Sequence, residues 1–133
     1  MNLALDSSAL IAFLKDEPGA EVVERLLLDS ANTCYVHAIN LCEVFYDFLR
    51  RGGEQTAQAV LSDLAASRIV VSEEMDSELW QEAGRNKAHM RLPLGDCFLL
   101  AMTSRIGGQA VTADRGDLEP VEADVKYPIR FIR

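Results

Sequence analysis

Asn2-Leu3-Ala4-Leu5-Asp6-Ser7-Ser8-Ala9-Leu10-Ile11-Ala12-Phe13-Leu14 is the stretch that decides the architecture. Asn2 to Leu5 read as a short buried strand that ends at Asp6. Ser7 and Ser8 follow, then the helical run Ala9 to Leu14, which Lys15-Asp16-Glu17-Pro18-Gly19 breaks. The alternation continues outward from there. Ala20 to Leu28 fit a second helix, with Val22, Val23, Leu26 and Leu27 on one side and charges on the other. Thr33 to Val36 carry the β-branched and aromatic character of strand two. Ile39 to Arg51 are helical and stop at Gly52-Gly53; Glu54 to Ser67 form another amphipathic helix. Ile69 to Val71 make strand three, and Asp76 to Met90 a helix striped by Leu79, Trp80 and Ala83. Gly95-Asp96 opens an apolar helix that Gly107-Gly108 closes. Gln109 to Thr112 and Ile129 to Ile132 are strands four and five. Between them, Arg115 to Tyr127 read as a loop rich in acids, with Asp117, Glu119, Glu122 and Asp124. Short apolar strands alternating with helices mean a parallel sheet covered on both faces. Residues 1–133 are expected to form a single α/β domain.

Composition narrows the function classes. No apolar run approaches the roughly 18 residues that span a bilayer, and the N-terminus meets Asp6 without a basic, secretory start. A cytoplasmic protein with no membrane association is expected. Three cysteines (Cys34, Cys42, Cys97) and two histidines (His37, His89) give no zinc spacing; the cysteines read as reduced and mostly buried. A formal net charge of −8 argues against a broad basic surface for nucleic acid. It leaves room for an enzyme that gathers carboxylates around a divalent cation, because the ion reverses the local field.

Such a gathering is visible in the pattern. In open parallel sheets function collects at the carboxyl ends of strands, where strand order reverses. Asp6 stands just past strand one and Asp114 just past strand four. If the order is 3-2-1-4-5, these two face each other across the switch point. Glu43 emerges early in the helix after strand two, with no cation at the neighbouring helical positions; its neighbour Asp47 is a like charge. Asp96 begins the helix that feeds strand four. Each acid also has a structural reading: Asp6 and Asp96 suit helix N-caps, Glu43 a solvated face, and Asp114 a polar turn. Four carboxylates at one sheet edge, however, call for a positive occupant, and hard oxygen ligands select Mg²⁺ or Mn²⁺. Arg91 and Arg115 border the crevice and are candidate contacts for its substrate; Trp80 and Phe45 read as core from their helical spacing.

Leu5-Asp6-Ser7-Ser8-Ala9-Leu10-Ile11, Asn40-Leu41-Cys42-Glu43-Val44, Leu94-Gly95-Asp96-Cys97-Phe98-Leu99-Leu100-Ala101 and Val111-Thr112-Ala113-Asp114-Arg115 occur in that order. Together they resemble the PIN-domain ribonucleases, and within them the VapC-like toxins of bacterial toxin–antitoxin pairs. The resemblance covers essentially the whole chain, including the closing strand Tyr127-Pro128-Ile129-Arg130-Phe131. It implies a PIN-like three-layer α/β/α fold with a short parallel sheet in the order 3-2-1-4-5. It implies Mg²⁺ or Mn²⁺ held by Asp6, Glu43, Asp96 and Asp114, and endonucleolytic cleavage of RNA by metal-activated water to a 5′-phosphate and a 3′-hydroxyl. It further implies a homodimer and a cognate antitoxin. Thr112 falls where the family often has a supporting hydroxyl, Ser8 has a lesser supporting place, and Asp117 is an alternative or shared fourth acid.

Three other classes fit less well. A haloacid-dehalogenase phosphatase needs a second Asp two residues after the first, where Ser8 stands. A receiver domain needs an Asp after strand three, where Ser72 stands. A catalytically inactive PIN-fold interaction module would be expected to have lost a carboxylate.

Overall fold

The computed structural model describes residues 1–122 and 126–133, so Asp124 lies outside the described residues. The elements, in chain order, are β1 (Asn2–Leu5), α1 (Ser7–Leu14), α2 (Ala20–Leu28), β2 (Thr33–His37), α3 (Ala38–Ala66), β3 (Val70–Ser72), α4 (Ser77–Met90), α5 (Leu94–Ile106), β4 (Gln109–Thr112), α6 (Arg115–Glu122) and β5 (Ile129–Phe131). The strands form one five-stranded sheet in the order β3-β2-β1-β4-β5, and every pairing is parallel.

The pleat explains the three layers. Leu3 and Leu5 of β1 and Val111 of β4 point to one face, where Leu10, Val23, Leu26, Val44, Val60 and Leu64 of α1, α2 and α3 cover them. Ala4 and Ala110 point to the other face and meet Leu79 and Ala83 of α4 and Phe98 to Met102 of α5. These alanines are small, so α5 can lie close over the two central strands. Its run from Cys97 to Thr103 is buried without a break. Each fully buried leucine here, such as Leu3, Leu5, Leu99 and Leu100, contributes about 1.5–3 kcal/mol.

Several local readings change in three dimensions. The stop expected at Gly52-Gly53 is a kink: Gly53 takes φ 83°, and the helical ladder resumes beyond it as the second half of α3. Only glycine adopts that conformation without strain. The supposed loop after Asp114 begins with α6, whose inward residues are Leu118 and Val121. Trp80 is 49% exposed rather than core, because the inward line of α4 runs through Leu79, Ala83 and Asn86. Phe45 is half-buried. Cys34 and Cys97 are buried as expected, while Cys42 is exposed. Among the described residues, no helix is long and apolar enough to cross a membrane.

Candidate metal centre

Strands β1 and β4 are adjacent and in register, Leu5 opposite Val111, so the residues just past them meet at the carboxyl edge. Asp6 donates its backbone N–H to Val111 O at 3.1 Å. Its side chain is 2% exposed and does cap α1: Oδ1 accepts from Ala9 N at 2.8 Å and from Ser8 Oγ at 2.7 Å. Oδ2 accepts from Thr112 Oγ1 at 2.6 Å. A carboxylate offers about four acceptor positions, and three are taken. Burial is the main cause that pushes the Asp6 carboxyl up to about 6; the bonds from Thr112, Ala9 and Ser8 pull the other way, and the charge on Asp114 adds to the rise.

The two hydroxyls tie the strand ends together. Thr112 Oγ1 accepts from Asp114 N at 2.9 Å and lies 3.2 Å from Ser8 Oγ, which in turn accepts from Ala113 N at 2.9 Å. Thus Ser8 and Thr112 each bond Asp6 on one side and the backbone that presents Asp114 on the other.

Asp96 sits in the first turn of α5, but Pro93 occupies the N-cap position, so the capping role considered for Asp96 is not realised. Its Oδ2 is buried and has no hydrogen-bond partner. Burial, then the charges of Asp6, Asp114, Asp117 and Glu43 in that order, push its carboxyl from 3.8 to about 7. Asp96, Asp114 and Asp117 each offer an oxygen lying within 4.8 Å of the other two. Asp117 joins the group because Asp114 Oδ1 accepts from Asp117 N at 3.1 Å, which fixes the first turn of α6 against the end of β4. Asp6 and Glu43 border this trio and are not part of it. The arrangement therefore draws in Asp117, the residue that the sequence offers as an alternative or shared fourth acid.

Glu43 is half-buried on α3 and accepts through Oε1 from Asn40 Nδ2 at 3.1 Å. The same Nδ2 reaches Gly95 O at 3.1 Å. Among the described residues none of Asp6, Glu43, Asp96, Asp114 and Asp117 forms an ion pair; the acid beside them on α3, Asp47, pairs instead with Lys15 and Arg51. The five carboxylates are hard donors without His or thiolate, and a buried oxygen on Asp96 has nothing to accept. That set fits a divalent cation of the Mg²⁺ or Mn²⁺ kind.

The two arginine candidates separate. Arg115 is engaged with the C-terminal strand: Nε donates to Arg133 O at 2.7 Å, one Nη meets Glu119 at 3.3 Å, and the guanidinium lies 4.4 Å over the Phe131 ring. Arg91 is exposed, ends α4 with φ 54°, and lines a cavity of about 490 Å³ together with Met90, Leu92, Gly116, Asp117, Pro120 and Val121. Sequence reasoning missed Asn40 and Gly95. Asn40 carried a faint signal, an amide one helical turn before an acid.

Comparison with known proteins agrees with this fold. A family model described as PIN domain matches residues 3–121. A sequence comparison with curated proteins finds no match. Among solved structures, the chain is similar to VapBC2 from Rickettsia felis bound to a DNA fragment from its promoter, with TM-score 0.74, 15% identity and 98% of each chain covered. It is also similar to VapC20 from Mycobacterium tuberculosis, a toxin that cleaves the sarcin–ricin loop (TM-score 0.71, 18% identity, 90% of this chain and 94% of that one). A DNA-bound VapBC from Salmonella typhimurium has TM-score 0.74 at 14% identity, covering 100% and 99%.

Proposed function

Since the chain belongs to the PIN domain family, we propose that it is a Mg²⁺- or Mn²⁺-dependent endoribonuclease, and the toxin component of a toxin–antitoxin pair. The observation that carries this reading is Asp96, whose buried Oδ2 lacks a partner amid the charges of four other acids. A fold that keeps such a group without a counter-charge sacrifices stability, and an incoming cation relieves it. The resemblance to a sarcin–ricin loop cleaving toxin supports RNA as substrate.

On this reading Asp96, Asp114 and Asp117 hold the cation, with Asp6 and Glu43 at its border. When bound, the ion would supply a Lewis acid and a water acidic enough to attack a phosphodiester near neutral pH. The chain's own contribution is orientation. Thr112 and Ser8 fix the Asp6 carboxylate and leave one acceptor position on Oδ2 open. Asp114 is fixed by its own N–H and by its bond to Asp117 N. The histidines do not supply the acid–base pair of a metal-free ribonuclease. His37 caps α3, accepting through Nδ1 from Ile39 N and donating through Nε2 to Glu74 O at 2.8 Å, so both nitrogens are committed. His89 is exposed on α4.

The test is cleavage of single-stranded RNA by purified chain free of partner protein. Activity with Mg²⁺ or Mn²⁺ that disappears with EDTA and in Asp96→Asn supports the proposal. Cleavage that persists in EDTA and requires His37 or His89 would overturn it.

A further inference from the structure

We infer that Asn40 and Gly95 form a clamp that positions the Glu43 carboxylate beside Asp96, an inference that rests on the metal-dependent reading above. Glu43 and Asp96 come from different layers. The residue after Glu43, Val44, is buried with α1 and α2 on one face of the sheet, while α5 is buried on the other. The two acids approach only where α3 and α5 pass each other at the carboxyl edge, and their charges repel. Something other than mutual attraction must hold Glu43 there.

Gly95 supplies the space. A Cβ at this position would overlap Glu43 Oε1 and lie 2.8 Å from Cδ and 3.0 Å from Oε2. The backbone does not call for glycine: Gly95 is a helical residue and is absent from the positive-φ glycines, which are Gly19, Gly53 and Gly107. Glycine inside a helix is unfavourable relative to alanine. Its presence is explained by the Glu43 carboxylate lying against the first turn of α5. Asn40 supplies the direction. It is 1% exposed, and its Nδ2 bridges Glu43 Oε1 and Gly95 O, joining α3 to α5 across the two layers. Its Oδ1 is buried without a partner. A core position of that kind is filled more stably by an apolar side chain of similar shape. Both residues work against stability where they stand, and both are accounted for by one carboxylate.

Titration calorimetry with Mn²⁺ and thermal melting in EDTA, on the wild type, Gly95→Ala and Asn40→Leu, test the clamp. Gly95→Ala should melt in EDTA at or above the wild type, because only the flexible end of Glu43 has to move and alanine is the better helix former. In both variants Mn²⁺ affinity should fall by about tenfold or more, the usual effect of losing a group that supports a metal site from behind its ligands. Placed in a Glu43→Gln background, neither change should weaken Mn²⁺ further, which a merely structural role would not predict. Wild-type Mn²⁺ affinity in both single variants would overturn the clamp and leave the metal site standing. Should Gly95→Ala fail to fold, Asn40→Leu decides by the same criterion. A wild-type chain that binds no Mn²⁺ overturns the metal-dependent reading itself, and the clamp with it.

Discussion

Asp6→Asn replaces a carboxyl that is 2% exposed and pushed by burial from 3.8 to about 6. At about 1.4 kcal/mol per pH unit, holding that charge costs the metal-free fold about 3 kcal/mol. Below pH about 4 the folded and unfolded chains both carry the proton. Between about 4 and 6 the folded chain keeps a proton that the unfolded chain has released, so stability falls as pH rises. Above about 6 the whole deficit is present. An amide does not titrate, and the network accommodates it. Ser8 Oγ and Ala9 N can still donate to the amide oxygen, the amide nitrogen can donate to Thr112 Oγ1, and the Thr112 hydroxyl can turn to Ser8 Oγ, 3.2 Å away. Asparagine also remains a good N-cap. Asp6→Asn should therefore be more stable than the wild type by about 3 kcal/mol at pH 8 in EDTA, which is roughly 12 °C in melting temperature. The two should converge near pH 4. Mg²⁺ should narrow the gap, since the wild type gains about 2.7 kcal/mol with the ion at a hundred times its dissociation constant and the variant, lacking a charge at the ion's border, gains less. Calorimetric melts from pH 4 to 8, with EDTA and with Mg²⁺, measure all of this. A variant that melts below the wild type at pH 8 in EDTA would refute the reasoning, because Asp6 would then be a stabilising cap and not a strained charge.

Two further outcomes are expected. Thr112→Val removes the strongest of the bonds that hold the Asp6 carboxyl down, so that carboxyl should titrate at higher pH in a ¹³C NMR titration of the metal-free chain; it also strands Asp114 N–H, at about 1–3 kcal/mol of stability. An unmoved Asp6 titration would show that Thr112 does not tune Asp6. The homodimer and the cognate antitoxin that the family resemblance implies are open to a direct test by light scattering and by binding to the product of the adjacent gene. A monomer by light scattering at micromolar concentration, with no binding to the product of the adjacent gene, would contradict both.

What was legible in the sequence had a local cause. The apolar strand ending at Asp6 and the turn after Thr112 are punctuated by residue type, and parallel β-α alternation sends both ends to one edge. Strand order came from the family resemblance rather than from pattern, and the sheet has that order. Helix α6 escaped because Gly116 and Pro120 within eight residues look like loop, while only Leu118 and Val121 face inward. Trp80 misled because a large ring adjoining an apolar stripe reads as core, although the helix turns it outward. The contact of Glu43 with Gly95 joins residues far apart in the chain that carry no shared local signature. Only the packing of α3 on α5 reveals it.

These carboxylates are proposed to hold a divalent cation. Anomalous diffraction from crystals grown above pH 7 with millimolar Mn²⁺ tests it most directly. A single strong peak bonded by Asp96 Oδ2, with Asp114 or Asp117 as a second ligand, is the predicted result. Ordered Asp96, Asp114 and Asp117 side chains with no peak between them would contradict it.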